Sequence, residues 1–191
     1  MKPHFTKNES LIYSQLNQEQ NIFNFEQLLK LKLPDSYKLF LKEINGGEPN
    51  PSSFKKPLDP LFIKVIDSFF YLDMNTCIDY SNPDHFELYR GNLLYEWDKL
   101  QSLCGMPDFI LRIAKSDTPS EVLLSLGPED YGYVYSGHLE LGKVTDYNEK
   151  RAKKTSHIKE MGKLGFHVMA YDFEDLLNSA VEMTDEEFLE S

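Results

Sequence analysis

The stretch LKLPDSYKLFLKEINGG, Leu31 to Gly47, is punctuated at both ends, and this fixes a short helix together with the way the chain leaves it. Pro34 fits the first helical position, where its fixed φ is useful and its missing N–H costs nothing. Asp35 and Ser36 follow in the first turn, where a carboxylate suits the positive end of the helix dipole. Tyr37, Phe40, Leu41 and Ile44 then fall at i, i+3, i+4 and i+7, which makes one apolar stripe facing a core. Asn45-Gly46-Gly47 ends the helix, because glycine reaches the left-handed conformation that a C-cap requires.

Around this anchor the texture changes in blocks. FNFEQLLKLKL reads as an earlier helix, with Asn24 as N-cap, Gln27 three residues on, and Phe25, Leu28 and Leu29 on the buried side. EPNPSSFKKPLDP, with four prolines, reads as a connection. LFIKVIDSFFYL is short and rich in β-branched and aromatic residues, as a strand would be. HFELYRG and LLYEWDKLQSLCG look helical, the second through Leu93, Leu94, Trp97, Leu100 and Leu103. FILRIAKSD, EVLLSLG and YGYVYSGHLELG are strands joined by the turn-forming DTPS and GPED, which makes an antiparallel meander. The segment from Lys143 to Lys163 is polar and reads as an exposed excursion. FHVMA is a closing strand, and YDFEDLLNSAVEM a last amphipathic helix through Phe173, Leu176, Leu177, Ala180 and Val181. Helices and strands are segregated, so the expected class is α+β in one domain over 1–191: a mostly antiparallel sheet packed against N-terminal helices and a C-terminal helix.

Charge and motif content narrow the function. The formal net charge is −11, which disfavours a nucleic-acid binder and suits a basic partner. From Asp172 to Ser191 there are eight acidic residues and no Lys or Arg, whereas Lys143–Lys163 holds seven basic against three acidic. No run is long and apolar enough for a membrane span or signal segment, so a cytoplasmic location is expected. Cys77 and Cys104 form no C-x-x-C pair. His4, His85, His138, His157 and His167 show no metal-ligand spacing, so neither metal nor cofactor is expected. No P-loop, G-x-S-x-G elbow or G-x-G-x-x-G is present. Tyr131, Tyr133 and Tyr135 alternate as if on one strand face. That row reads either as core or, with Glu129 and Asp130 beside it, as a protein-binding patch.

The block FEQLLKLKLPDSYKLFLKEINGGEP resembles the signature of the SUKH (Smi–Knr) superfamily through Glu26, Leu33, Pro34, Tyr37, Phe40, Leu41, Asn45, Gly46 and Gly47. ILRIAKSD, with Ala114 and Asp117, and YGYVY are similar to its later strands, and MAYDFEDLL to its closing pattern. The family-like core spans about 21–178, with an insertion at 143–163. TPSE stands after Asp117 where relatives carry a glycine-rich turn. The resemblance implies a non-enzymatic binding module, most often a bacterial immunity protein that neutralises a cognate toxin domain, such as a basic nuclease. On that reading Glu129, Asp130, Tyr131 and Asp117 are the expected toxin-facing residues. A regulatory or scaffold module of the same fold is the alternative, and an enzyme with a dispersed site a more distant one.

Overall fold

A computed structural model describes residues 2–6, 17–56, 59–75, 91–104, 106–116, 120–138, 161–162 and 164–183. In chain order the elements are β1 (His4–Thr6), α1 (Gln18–Leu29), α2 (Asp35–Glu43), β2 (Glu48–Asn50), β3 (Ser53–Lys56), β4 (Asp59–Phe69), α3 (Leu93–Cys104), β5 (Ile110–Ser116), β6 (Glu121–Ser125), β7 (Val134–Gly137), β8 (Phe166–Ala170), α4 (Phe173–Asn178) and β9 (Ala180–Val181). Seven strands form one sheet in the order β8-β7-β6-β5-β4-β3-β9, and β1 pairs with β2 in a separate ribbon. Among the described residues, each pairing between these strands is antiparallel. β3 also lies close to β8, so the sheet curls. The architecture is α+β, and β4-β5-β6-β7-β8 is a continuous meander.

The core is aromatic where the helices meet the sheet. Tyr37 and Phe40 on α2, Phe69 on β4 and Phe173 at the start of α4 are all buried. Phe173 sits 4.8 Å from Tyr37, 5.1 Å from Phe40 and 5.7 Å from Phe69 between ring centroids. Phe5 of β1 closes on Phe40 at 5.3 Å. Each such ring removes a large apolar area from water, stabilising by roughly 1.5–3 kcal/mol when fully buried. On β5, Ile110, Leu111, Ile113 and Ala114 are all buried, so both faces of that strand are covered, and α3 packs against it.

Several local expectations are corrected. Pro34 is the N-cap of α2, with φ −57° and ψ 142°, rather than its first helical residue; its carbonyl accepts the first helical bond from the Lys38 N–H at 2.9 Å. The earlier helix begins at Gln18 behind Asn17, so Asn24 lies within it. Leu28 faces outward, and Ile22 takes its place beside Phe25 and Leu29. The proline-rich EPNPSSFKKPLDP carries strands at both ends, because Pro49 sits in the two-stranded ribbon, where a missing N–H is tolerated. The last helix stops at Asn178, and Ala180 and Val181 join the sheet against Phe54 and Ser53. Met161 and Leu164, within and just after the expected excursion, are buried; residues 143–160, HFELYR at 85–90 and Pro83 lie outside the described residues.

Candidate functional site

The signature residues converge on two joints. At the first, Glu26 is buried on α1 and accepts the Leu33 N–H at 3.0 Å and the Lys32 ammonium at 2.6 Å. Lys38 lies 3.9 Å from the same carboxylate and 2.7 Å from Asp35. A charged acceptor thus holds the backbone N–H just before Pro34 and aims the chain into α2. Leu33, Pro34 and Tyr37 are buried behind it. The Tyr37 hydroxyl is fully buried and has no hydrogen-bond partner among the described residues, so burial holds its pKa far above the ordinary phenol range.

At the second joint α2 is tied to the end of β4. Asn45 adopts φ 57°; its side-chain oxygen accepts the Leu72 N–H at 2.9 Å and its amide donates to the Leu72 carbonyl at 3.3 Å. Gly47 exchanges two backbone bonds with Phe69, at 3.0 and 2.9 Å. Between them Gly46, at φ +87°, passes so close to the strand that a Cβ would lie 2.9 Å from the Phe69 carbonyl oxygen and the Tyr71 nitrogen. Asn-Gly-Gly therefore serves as more than a helix stop: it docks the helix onto the sheet. Asn45, not a glycine, takes the first left-handed position.

The residues expected to face a partner separate. Asp130 is 1% exposed and accepts hydrogen bonds from the Ser125 and Tyr135 hydroxyls, each at 2.6 Å. It braces the turn between β6 and β7 from inside, where it cannot face a partner. Glu129 is exposed, and Tyr131 is 47% exposed. Asp117 lies outside the described residues. The tyrosine row does not share one strand face, because β7 begins only at Val134. Tyr131 stands on the turn and donates to the Lys32 carbonyl at 3.1 Å, Tyr133 is half-buried, and Tyr135 is core.

The β6–β7 turn is thereby seated on the loop between α1 and α2, with Gly132 facing the Pro34 ring. Tyr133 meets Tyr171 edge-to-face at 5.3 Å, and Tyr171 is 41% exposed. Asp172 follows as N-cap of α4, accepting the Asp175 N–H at 2.8 Å. Burial, then the nearby Asp172 and Glu174 charges, raise the Asp175 pKa above the ordinary carboxylate range. This surface joins segments far apart in sequence, which is why Tyr171 could not be placed beside Tyr133 beforehand.

Two other polar clusters are structural in form. On β5, Arg112 pairs with Glu96 of α3 at 2.7 Å and with Glu121 of β6, while lying over the Phe70 ring. Burial raises the Glu121 pKa, and Arg112 opposes that shift. A cleft of about 550 Å³ at the start of α1 is lined by Asn17, Gln18, Glu19, Gln20 and Lys42. Among the described residues no group of His, Cys, Asp and Glu could hold a metal ion, and no helix is long and apolar enough to cross a membrane.

A family model described as SMI1-KNR4 cell-wall matches residues 19–145, more than half of the chain. Among curated proteins, none matches it.

Proposed function

The chain belongs to the SMI1–KNR4 (SUKH) superfamily, and from that premise we propose that it is a non-enzymatic immunity protein that binds and neutralises a cognate toxin domain in the cytoplasm. The observation that carries this reading is the exposed tyrosine and carboxylate surface where the β6–β7 turn, the α1–α2 loop and the start of α4 meet. Tyrosine offers large contact area with little side-chain entropy to lose, and it is favoured at recognition surfaces. The signature residues themselves are spent on the two joints, so the family motif sets the scaffold and leaves recognition to exposed positions such as Glu129 and Tyr131. A net charge of −11 would steer a basic partner, such as a nuclease domain, and carboxylates would compete with its natural anionic substrate.

Co-expression tests the reading. A toxin-like domain found encoded beside this gene should arrest growth alone and be silenced by this chain at equal expression. Continued toxicity with both proteins soluble, or turnover of any substrate by this chain alone, would overturn it. The second reading, a regulatory or scaffold module of the same fold, gains weight if a stable complex forms without inhibition.

A further inference from the structure

We propose that Tyr131, Tyr133 and Tyr171, with Asp172 and Asp175, form the docking surface for an arginine- or lysine-bearing loop of the partner. This rests on the immunity reading for the partner's identity, but the surface chemistry stands on its own geometry. Tyr133 and Tyr171 pack edge-to-face at 5.3 Å, and Tyr171 remains 41% exposed and Tyr131 47% exposed. Tyrosine faces attract a guanidinium or ammonium through the ring quadrupole.

Charge complementarity selects the occupant. Three lysines at this end are engaged by carboxylates: Lys32 by Glu26, Lys38 by Asp35 and Lys2 by Glu174. Asp172 and Asp175 form no ion pair among the described residues; Asp172 accepts only a backbone N–H. They follow Tyr171 at the start of α4, and no cationic side chain pairs with either among the described residues. A cation seated on the tyrosines would be favoured by the negative charge of these neighbouring carboxylates, whereas an anionic or purely apolar loop would not be. The outer face of α1, with Phe23 and Leu28 exposed, is the competing surface, but it carries no such selectivity.

Two measurements test this. The full chain, isotope-labelled, is titrated with a tetra-arginine peptide and separately with a tetra-glutamate peptide, following amide and tyrosine ring shifts by NMR. Shifts should concentrate at Tyr131, Tyr133 and Tyr171–Asp175 with the cationic peptide alone. The double substitution Tyr131→Ala with Tyr171→Ala should weaken that binding about fivefold, and Asp172→Asn with Asp175→Asn should weaken it and flatten its salt dependence, while Phe23→Ala changes neither. Shifts spread evenly over all acidic positions, or centred on α1, would overturn the assignment. The same variants are then tested against the toxin domain. Inhibition that survives the tyrosine substitutions sinks the surface and leaves the immunity reading intact. Peptide binding at the tyrosines with no toxin binding does the reverse.

Discussion

Substituting Gly46 by alanine should cost far more stability than the same change at Gly165, although the two backbones are nearly alike. Gly46 has φ +87° and Gly165 φ +85°, so both pay the left-handed penalty of an L-residue, roughly 1–2 kcal/mol. Their surroundings differ. A Cβ at Gly165 meets nothing within 4 Å, whereas at Gly46 it lies 2.9 Å from the Phe69 oxygen and the Tyr71 nitrogen and 3.0 Å from the Phe70 carbonyl carbon. These are backbone atoms of a paired segment and cannot swing aside. Relief would pull α2 from the strand and stretch the Gly47–Phe69 and Asn45–Leu72 bonds. Overpacking of this kind typically adds roughly 1–3 kcal/mol. Gly165→Ala should therefore lose roughly 1–2 kcal/mol and Gly46→Ala roughly 2–5 kcal/mol. For a chain of this size that separates the melting temperatures by roughly 2–12 °C. Urea denaturation followed by circular dichroism, with thermal melts alongside, measures both. Equal losses, or a smaller one at Gly46, would refute the close-approach explanation of the Asn-Gly-Gly motif.

Other outcomes follow from the same contacts. Glu26→Ala should lower stability by roughly 1–3 kcal/mol, because the buried Leu33 N–H loses its acceptor; an unchanged denaturation midpoint would contradict this. Asp130→Ala should destabilise by a similar amount by stranding the Ser125 and Tyr135 hydroxyls, while leaving the affinity of the folded protein for a partner within about twofold. Tyr37→Phe should be neutral or stabilising by up to about 1 kcal/mol, since its hydroxyl is buried without a partner among the described residues; a clear loss would reveal an acceptor. Carboxyl NMR titration should place Glu121 above the ordinary carboxylate range, because burial outweighs Arg112, and Glu19, Asp35 and Glu174 below it, through Lys42, Lys38 and Lys2. The signs differ accordingly. Stability from the last three is present above the unfolded carboxylate range and lost as pH falls through their folded values. The Glu121 contribution is fullest below that range and fades as pH rises through its folded value, a slope that Glu121→Gln should remove.

How much could be read in advance depended on how local each cause was. The stripe Tyr37-Phe40-Leu41-Ile44, the β4 run and the antiparallel order of the meander from Ile110 onward carry their own periodicity and are found, although the third meander strand begins only at Val134. Pro49 and Val181 misled because their strands are made by distant partners, His4–Thr6 and Ser53, which a local pattern does not reveal. Asp130 looked like a surface acid beside a tyrosine row. Its burial depends on Ser125 and Tyr135 closing around it, a satisfied network that spacing alone cannot tell from an exposed patch. The Glu26, Pro34 and Asn45-Gly46-Gly47 block was recognisable as a family signature, but its role as two mechanical joints emerges only from the Leu33 and Leu72 hydrogen bonds. Tyr171 was seen within a closing helix pattern, and its pairing with Tyr133 comes from the β7–β8 register.

The most direct test is calorimetric titration of this chain with a candidate toxin domain, sought first among the products of neighbouring genes, repeated across salt concentrations. Neutralisation by an acidic inhibitor should give one-to-one binding with nanomolar affinity that weakens steadily as salt rises. Absence of heat and of a complex at micromolar concentrations, with both proteins folded, would contradict the proposed immunity function.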